Sequence, residues 1–233
     1  MAAQSAASRS HRKRNASEPD DIILARAIEF SRWARKNVSY VVGGAVLLAL
    51  LVGGAIYYRM YHQNRIAQAA TQYMELEQTA ASGNAALAER DLASFIARFD
   101  GTVYADEARL LMAQIKLDAD QPAEAIAVLE GFPDRIDDSP IGAQGALLLA
   151  AAQQAAGETE DAIATYLLVA DEAPMLFRRQ AALADAALLR MQTQNYAGAV
   201  ELYTRLVETA EEGSAERSVY EMRRAEAEGL AGG

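Results

Sequence analysis

The sequence predicts an all-α protein: a solenoid of about four helix pairs, closed by a C-terminal capping helix and preceded by one transmembrane helix. Three observations predict it. An uncharged run, VSYVVGGAVLLALLVGGAIYY, extends from Val38 to Tyr58. Alanines recur at Ala88, Ala125, Ala162 and Ala199, a constant spacing of 37 residues. Polar turn residues, Gly83, Asp120, Gly157 and Gln194, precede each alanine by five.

Residues 1–19 are small, polar and basic, and predict a disordered tail. SEPD, Ser17 to Asp20, resembles a capping box with Asp in place of Glu. An amphipathic cytoplasmic helix is expected over 20–37. Ile23, Ala27, Phe30 and Ala34 fall on one face, Arg26, Arg32 and Lys36 on others, and Trp33 near the end. Such a helix lies along the inner leaflet or packs on a protein partner.

The run over 38–58 comes next. Its residues, at about 1.5 Å each, make a helix of roughly 31 Å, enough for a hydrocarbon core of about 30 Å. A soluble core helix rarely runs so long without one charge. A cleaved signal has a shorter apolar region, nearer the N-terminus. Tyr40, Tyr57, Tyr58 and Tyr61 stand at the edges, where amphipathic rings favour the headgroup layer. Residues 1–37 hold eight Lys and Arg, whereas Arg59 and Arg65 alone follow closely behind the run. The positive-inside rule then keeps the N-terminus cytoplasmic and carries 59–233 across. Ala45, Ala49 and Gly53 form one stripe of small residues, a surface on which another membrane helix can pack closely.

Residues 59–233 carry the repeats. Leu92, Leu129, Tyr166 and Tyr203 follow the repeating alanines by four, on the same helix face. Helical stretches over 66–81, 103–118, 142–156 and 179–192 precede each block. A small residue admits the neighbouring helix closely, and the bulky one beside it covers the gap. One such pair cannot bury its apolar face alone, but four stacked pairs can. GSAERSVYEMRRAEAEG, Gly213 to Gly229, then reads as a polar capping helix.

At these residues the chain resembles the tetratricopeptide repeat. GETEDAI (157–163) and QNYAGAV (194–200) resemble its turn and second helix. Ala113, Ala150 and Ala187 stand at the small position of the first helix, and Pro174 at the repeat-ending proline. The period exceeds the usual 34 of that family, and the excess is expected in longer inter-repeat turns. Met175, Leu176 and Phe177 are expected to pack as a turn on the next repeat, the alternative being an exposed partner-binding knob. A basic tail, one span, a helix continuing out of it and a short acidic array together resemble the ancillary Sec-translocon subunit family. That resemblance implies a bacterial inner-membrane protein whose periplasmic repeats work with the export channel and with periplasmic chaperones.

The concave face of such an array is lined by the first helices. On the repeat register the groove is expected to present Tyr73, Leu110, Gln114, Leu117, Leu147, Ala151, Gln154, Leu188 and Met191. None is basic, so an acidic C-terminal peptide lacks its usual clamp. Apolar or amphipathic segments fit better, such as unfolded chains emerging from a channel or a partner helix. A scaffold for envelope assembly or division, binding folded partners, is the alternative.

Composition excludes other classes. Residues 59–233 hold 14 Lys and Arg against 28 Asp and Glu, which argues against nucleic acid. There is no Cys, and the two His, His11 and His62, lack a second His at metal-ligand spacing. No GxGxxG, GxxxxGK[ST], HExxH or GxSxG occurs. Acidic pairs such as Asp137-Asp138 and Glu211-Glu212 read as solvated helix-end charge. No enzyme activity, cofactor, metal or small-molecule substrate is expected.

Overall fold

The computed structural model describes residues 32–81, 84–137 and 140–232. The tail over 1–19, most of the helix expected over 20–37, Gly83 and Asp138 lie outside the described residues. The chain divides into two compact units, Met1–Tyr61 and His62–Gly233. Among the described residues the regular structure is entirely helical.

In the first unit the chain is helical over 32–36 and turns at Asn37. The side-chain amide of Asn37 donates to the Trp33 carbonyl at 3.0 Å. Helix α1, Val38–Ala81, starts behind it. Residues 42–60 are exposed on every side of this helix. An α-helix satisfies its own backbone polar groups, and an apolar surface all round suits hydrocarbon. This is one helix long and apolar enough to span a membrane. The rings of Tyr57 and Tyr61 stack with centroids 6.5 Å apart.

The second unit is a solenoid of paired helices. The pairs are the end of α1 with α2 (Ala85–Phe99), α3 (Val103–Asp118) with α4 (Pro122–Leu129), α5 (Pro140–Ala156) with α6 (Thr159–Glu172), and α7 (Leu176–Gln192) with α8 (Tyr196–Thr209). Helix α9, Ala215–Ala231, packs on α8 and closes the stack. From α2 onward each helix packs on the next, and α3 also packs on α5.

The second helices show why the period holds. Ala88, Ala125, Ala162 and Ala199 are buried, and so are Leu92, Leu129, Tyr166 and Tyr203. The same register buries Phe95, Phe132, Val169 and Leu206, then Phe99, Ile136, Ala173 and Ala210. These columns stand at i, i+4, i+7 and i+11, the spacing of one stripe down a helix, although in the second pair Phe132 and Ile136 lie past the end of α4. Ala113, Ala150 and Ala187 of the first helices are fully buried against them.

The turn inside each pair is also periodic. Asp120, Gly157 and Gln194 take positive φ of 58°, 81° and 60°. The next amide in each case donates back five residues: Gln121 to the Lys116 carbonyl at 2.9 Å, Glu158 to Gln153 at 2.9 Å, Asn195 to Arg190 at 2.8 Å. This is the Schellman closure, which satisfies carbonyls that the helix end would otherwise orphan. One side chain one turn earlier reaches a neighbouring helix, either within its own pair or in the pair before. Lys116 holds Glu89 at 2.5 Å and Glu124 at 2.7 Å. At the equivalent place Gln153 accepts from the Thr165 hydroxyl at 2.8 Å, and Arg190 pairs Glu160 at 3.0 Å.

Two expectations are corrected. The inter-repeat connection is long only after the second pair, between Leu129 and Pro140; those at 100–102 and 173–175 span three residues, too few to hold the excess over a period of 34. The helices hold it instead: α5 and α7 have 17 residues each and start before the expected 142 and 179. Of the residues over 175–177 only Met175 is half-buried, and the other two stand exposed as the alternative reading had it. Leu176 and Phe177 are 54% and 63% exposed, because the buried face of α7 is set by Ala182, Leu183 and Ala186.

The second pair departs from the pattern. Helix α4 ends at Leu129, and a 3-10 turn, Pro133–Arg135, follows. Arg135 gives both terminal nitrogens to the buried Asp106 of α3, at 2.9 and 3.1 Å, and Arg109 adds a third contact at 2.8 Å. The same turn packs on α5. A Cβ at Gly142 would overlap the Arg135 carbonyl, and one at Gly145 the Phe132 ring.

Candidate functional site

The first helices present one side to a shared groove of about 990 Å³ within the second unit. On α3 the face runs through Val103, Glu107, Leu110, Leu111 and Gln114, spaced as neighbours along one helix side. The same register on α5 supplies Pro140, Gln144, Leu147, Leu148 and Ala151, and on α7 Ala181 and Asp185. Tyr73 and Glu77 close one end from α1, and Tyr166 reaches in from α6. The floor is therefore apolar at its centre and bears carboxylates toward both ends.

The electrostatics follow from partial burial without cations. Among the described residues lining the groove there are three carboxylates, Glu77, Glu107 and Asp185, and no Lys, Arg or His. Burial raises the Glu107 pKa above its ordinary value, and the Glu77 charge adds to the shift. Loss of solvation alone raises that of Asp185, although its side chain still reaches water. The Tyr73 hydroxyl, bonded to Glu77, is pushed up to about 12, first by burial and then by Glu77 and Glu107. Tyr166 is pushed up to about 12 by burial and by Asp185. Each shift marks a site where negative charge is poorly solvated and lacks a positive neighbour.

Of the residues the sequence places in the groove, Tyr73, Leu110, Gln114, Leu147 and Ala151 line it together. Leu117 and Met191 lie half-buried against the cores instead, and Gln154 and Leu188 are exposed away from it. Leu117, Gln154 and Met191 come from the last turns of their helices, near the left-handed closures, whereas Leu188 shares the column of Gln114 and Ala151. The groove lies nearer the N-terminal halves. Sequence reasoning missed Glu107, Leu111, Ile141, Gln144, Leu148 and Asp185. The available signal was the period itself: Glu107, Gln144 and Ala181 are 37 apart, as are Leu111, Leu148 and Asp185.

A second cavity, of about 950 Å³, lies between α1 and α2. Its walls are mainly polar, with Gln68, Thr71, Gln72, Asp91 and Ser94, and Arg98 donates to Gln72 across it at 3.5 Å. It has no continuous apolar floor. In the first unit Ala45, Ala49 and Gly53 are exposed on α1.

Comparison with known proteins agrees with this architecture. A tetratricopeptide repeat-like domain family matches residues 31–182, taking in the apolar run and the first three helix pairs. No curated protein matches the chain. Among solved structures, the nearly identical TPR-like repeats of a Podosopora anserina protein named as a kinesin light chain superpose with a TM-score of 0.54. That likeness has 18% identity and covers 72% of this chain and 88% of the other. A single-substitution form of the same repeats gives 0.53 at 19% identity, with the same coverage. At such identity the likeness speaks for the fold alone. The family match spans more than half the sequence, and it falls on the stacked helix pairs and their 37-residue register: the chain belongs to the tetratricopeptide repeat-like domain family.

Proposed function

We propose that this protein is a membrane-anchored protein-interaction module that acts beside the protein-export translocon. The observation that carries the reading is the groove: an apolar floor of Leu110, Leu111, Leu147 and Leu148 on rigid helices, wide enough for a segment of another protein. The exposed apolar stretch of α1 supports a single-pass anchor in a bacterial inner membrane. The excess of Lys and Arg before it supports a cytoplasmic N-terminus and a periplasmic array. The combination of tail, span and acidic repeats resembles the ancillary Sec-translocon subunit family. On this reading the span holds the array at the exit of the channel, and the groove receives unfolded or amphipathic client segments, or a partner helix.

The test joins topology to partner. Protease added to spheroplasts is expected to digest the array and spare the N-terminal tail. Mild detergent extraction is expected to bring the Sec channel along with the chain. Protection of the array contradicts the orientation. Recovery of division or envelope-assembly proteins without Sec replaces the translocon role by a scaffold role.

A further inference from the structure

The groove is more than apolar, and its charge selects among the segments it can hold. Glu77 on α1 and Glu107 on α3 are close enough to raise the Glu107 pKa together with burial. Asp185 stands on α7, beyond the leucines of α3 and α5. Several arginines elsewhere in the array are occupied, Arg109 and Arg135 on Asp106, Arg190 on Glu160 and Arg205 on Asp171, while Arg178 of α7 lies over the Phe177 ring. Among the described residues no Lys or Arg forms an ion pair with Glu77, Glu107 or Asp185. Glu107 is half-buried, while Glu77 and Asp185 keep an open side that an incoming cation can reach. A partner that supplies cations there relieves a penalty the free protein carries, besides burying its apolar side on the floor.

We propose that the groove takes a cationic amphipathic segment of a partner protein, with Lys or Arg against Glu77 and Glu107 at one end and Asp185 at the other, and apolar side chains on Leu110, Leu147 and Leu148 between. This rests on the reading of the groove as the interaction site and names the class of segment it selects. Charge complementarity argues for it over an acidic peptide, which would set carboxylate against carboxylate. It argues equally against a second copy of this acidic array, whose second unit carries a large excess of Asp and Glu.

The experiment uses the full chain in detergent micelles and three helical peptides of about 18 residues. One is Leu/Lys, one Leu/Glu and one Leu/Gln, with the same apolar face. Fluorescence anisotropy is expected to rank their affinities Lys over Gln over Glu. The triple variant Glu77→Gln, Glu107→Gln, Asp185→Asn is expected to weaken the Leu/Lys peptide at least tenfold and leave Leu/Gln nearly unchanged. A control triple, Glu130→Gln, Glu201→Gln, Glu208→Gln, removes exposed charge away from the groove and is expected to change affinity less than about twofold. Equal losses from the two triples overturn the proposal, since the peptide then answers only to net charge. The double variant Leu110→Ala, Leu147→Ala separates the levels. If it abolishes binding while the carboxylate triple does nothing, the groove binds apolar segments without regard to charge, which overturns the proposal and spares the groove. If neither variant changes binding, the groove is not the site. Self-association of the chain that the Leu/Lys peptide fails to displace would assign the face to a second copy and overturn the proposal.

Discussion

Gly145 of α5 lies directly against the ring of Phe132, close enough that a Cβ would overlap three ring carbons. The equivalent positions in the neighbouring pairs are Ala108 and Ala182, both fully buried. The difference lies in the second pair. Helix α4 stops at Leu129, and the 3-10 turn brings Phe132 and the Arg135 backbone onto α5, where only hydrogen fits. Gly145→Ala gains helix propensity of about 1 kcal/mol, yet it must displace a buried ring, which costs on the order of 1–3 kcal/mol. The expected outcome is a lower melting temperature for the chain in detergent. The same change is nearly silent if the Phe132 ring is free to move aside.

The left-handed residues provide an internal comparison. Asp120, Gly157 and Gln194 hold one backbone position in three repeats. Gly157→Ala forces an L side chain into that region and is expected to cost about 1–2 kcal/mol. Asp120→Gly and Gln194→Gly relieve it, by about 0.5–1 kcal/mol after the greater freedom of glycine in the unfolded chain. Gln194 is expected to gain more, because Asp tolerates this region better. Thermal unfolding of the three variants checks both the signs and the order.

The groove carboxylates predict a pH dependence. The pKa values of Glu107 and Asp185 are raised in the folded chain. A raised carboxyl favours folding below its unfolded value, near 4, and that contribution is lost as pH rises through the folded value. Glu107→Gln and Asp185→Asn are therefore expected to raise the melting temperature at pH 7. The gain over a Glu201→Gln control is expected to vanish near pH 4. Asp100, lowered by its hydrogen bond from Arg109, has the opposite sign. Its contribution is present above the unfolded value and is lost as pH falls through the folded one. Asp100→Asn is therefore expected to lower the melting temperature at pH 7, by a small amount because the pair is exposed.

The span makes a separate prediction. Changing Ala45, Ala49 and Gly53 together to Leu keeps the helix apolar, so insertion is expected to persist. A partner helix that needs close backbone approach along that stripe is expected to be lost on detergent co-purification. If the triple variant inserts and retains every partner of the parent, the span is a tether.

How much of this was legible in the sequence depends on the kind of interaction. Ala88, Ala125, Ala162 and Ala199 revealed the fold because close helix packing repeats the same small residue at the same register. The left-handed turns were legible as polar positions, although Asp120 and Gln194 do not announce a positive φ as glycine does. The 3-10 turn was not legible: it depends on Arg135 reaching Asp106, 29 residues away in sequence. Gly142 and Gly145 acquire meaning only once that turn is in place. The apolar part of the groove was half legible, since Leu110 and Leu147 share a column. The carboxylates were not. Glu107 and Asp185 look like ordinary surface charge until the stacked helices take away part of their water and leave them without a cation.

On the proposed reading a partner protein lies in this groove while the apolar stretch of α1 spans a membrane. A photo-crosslinking residue placed at Leu147, and for comparison at the exposed Glu201 of α8, tests it most directly in intact membranes. Discrete crosslinked adducts containing export-channel subunits or emerging chains are expected from position 147 and not from position 201. Adducts from 201 with none from 147 would contradict the reading and move the interaction to the outer face of the array.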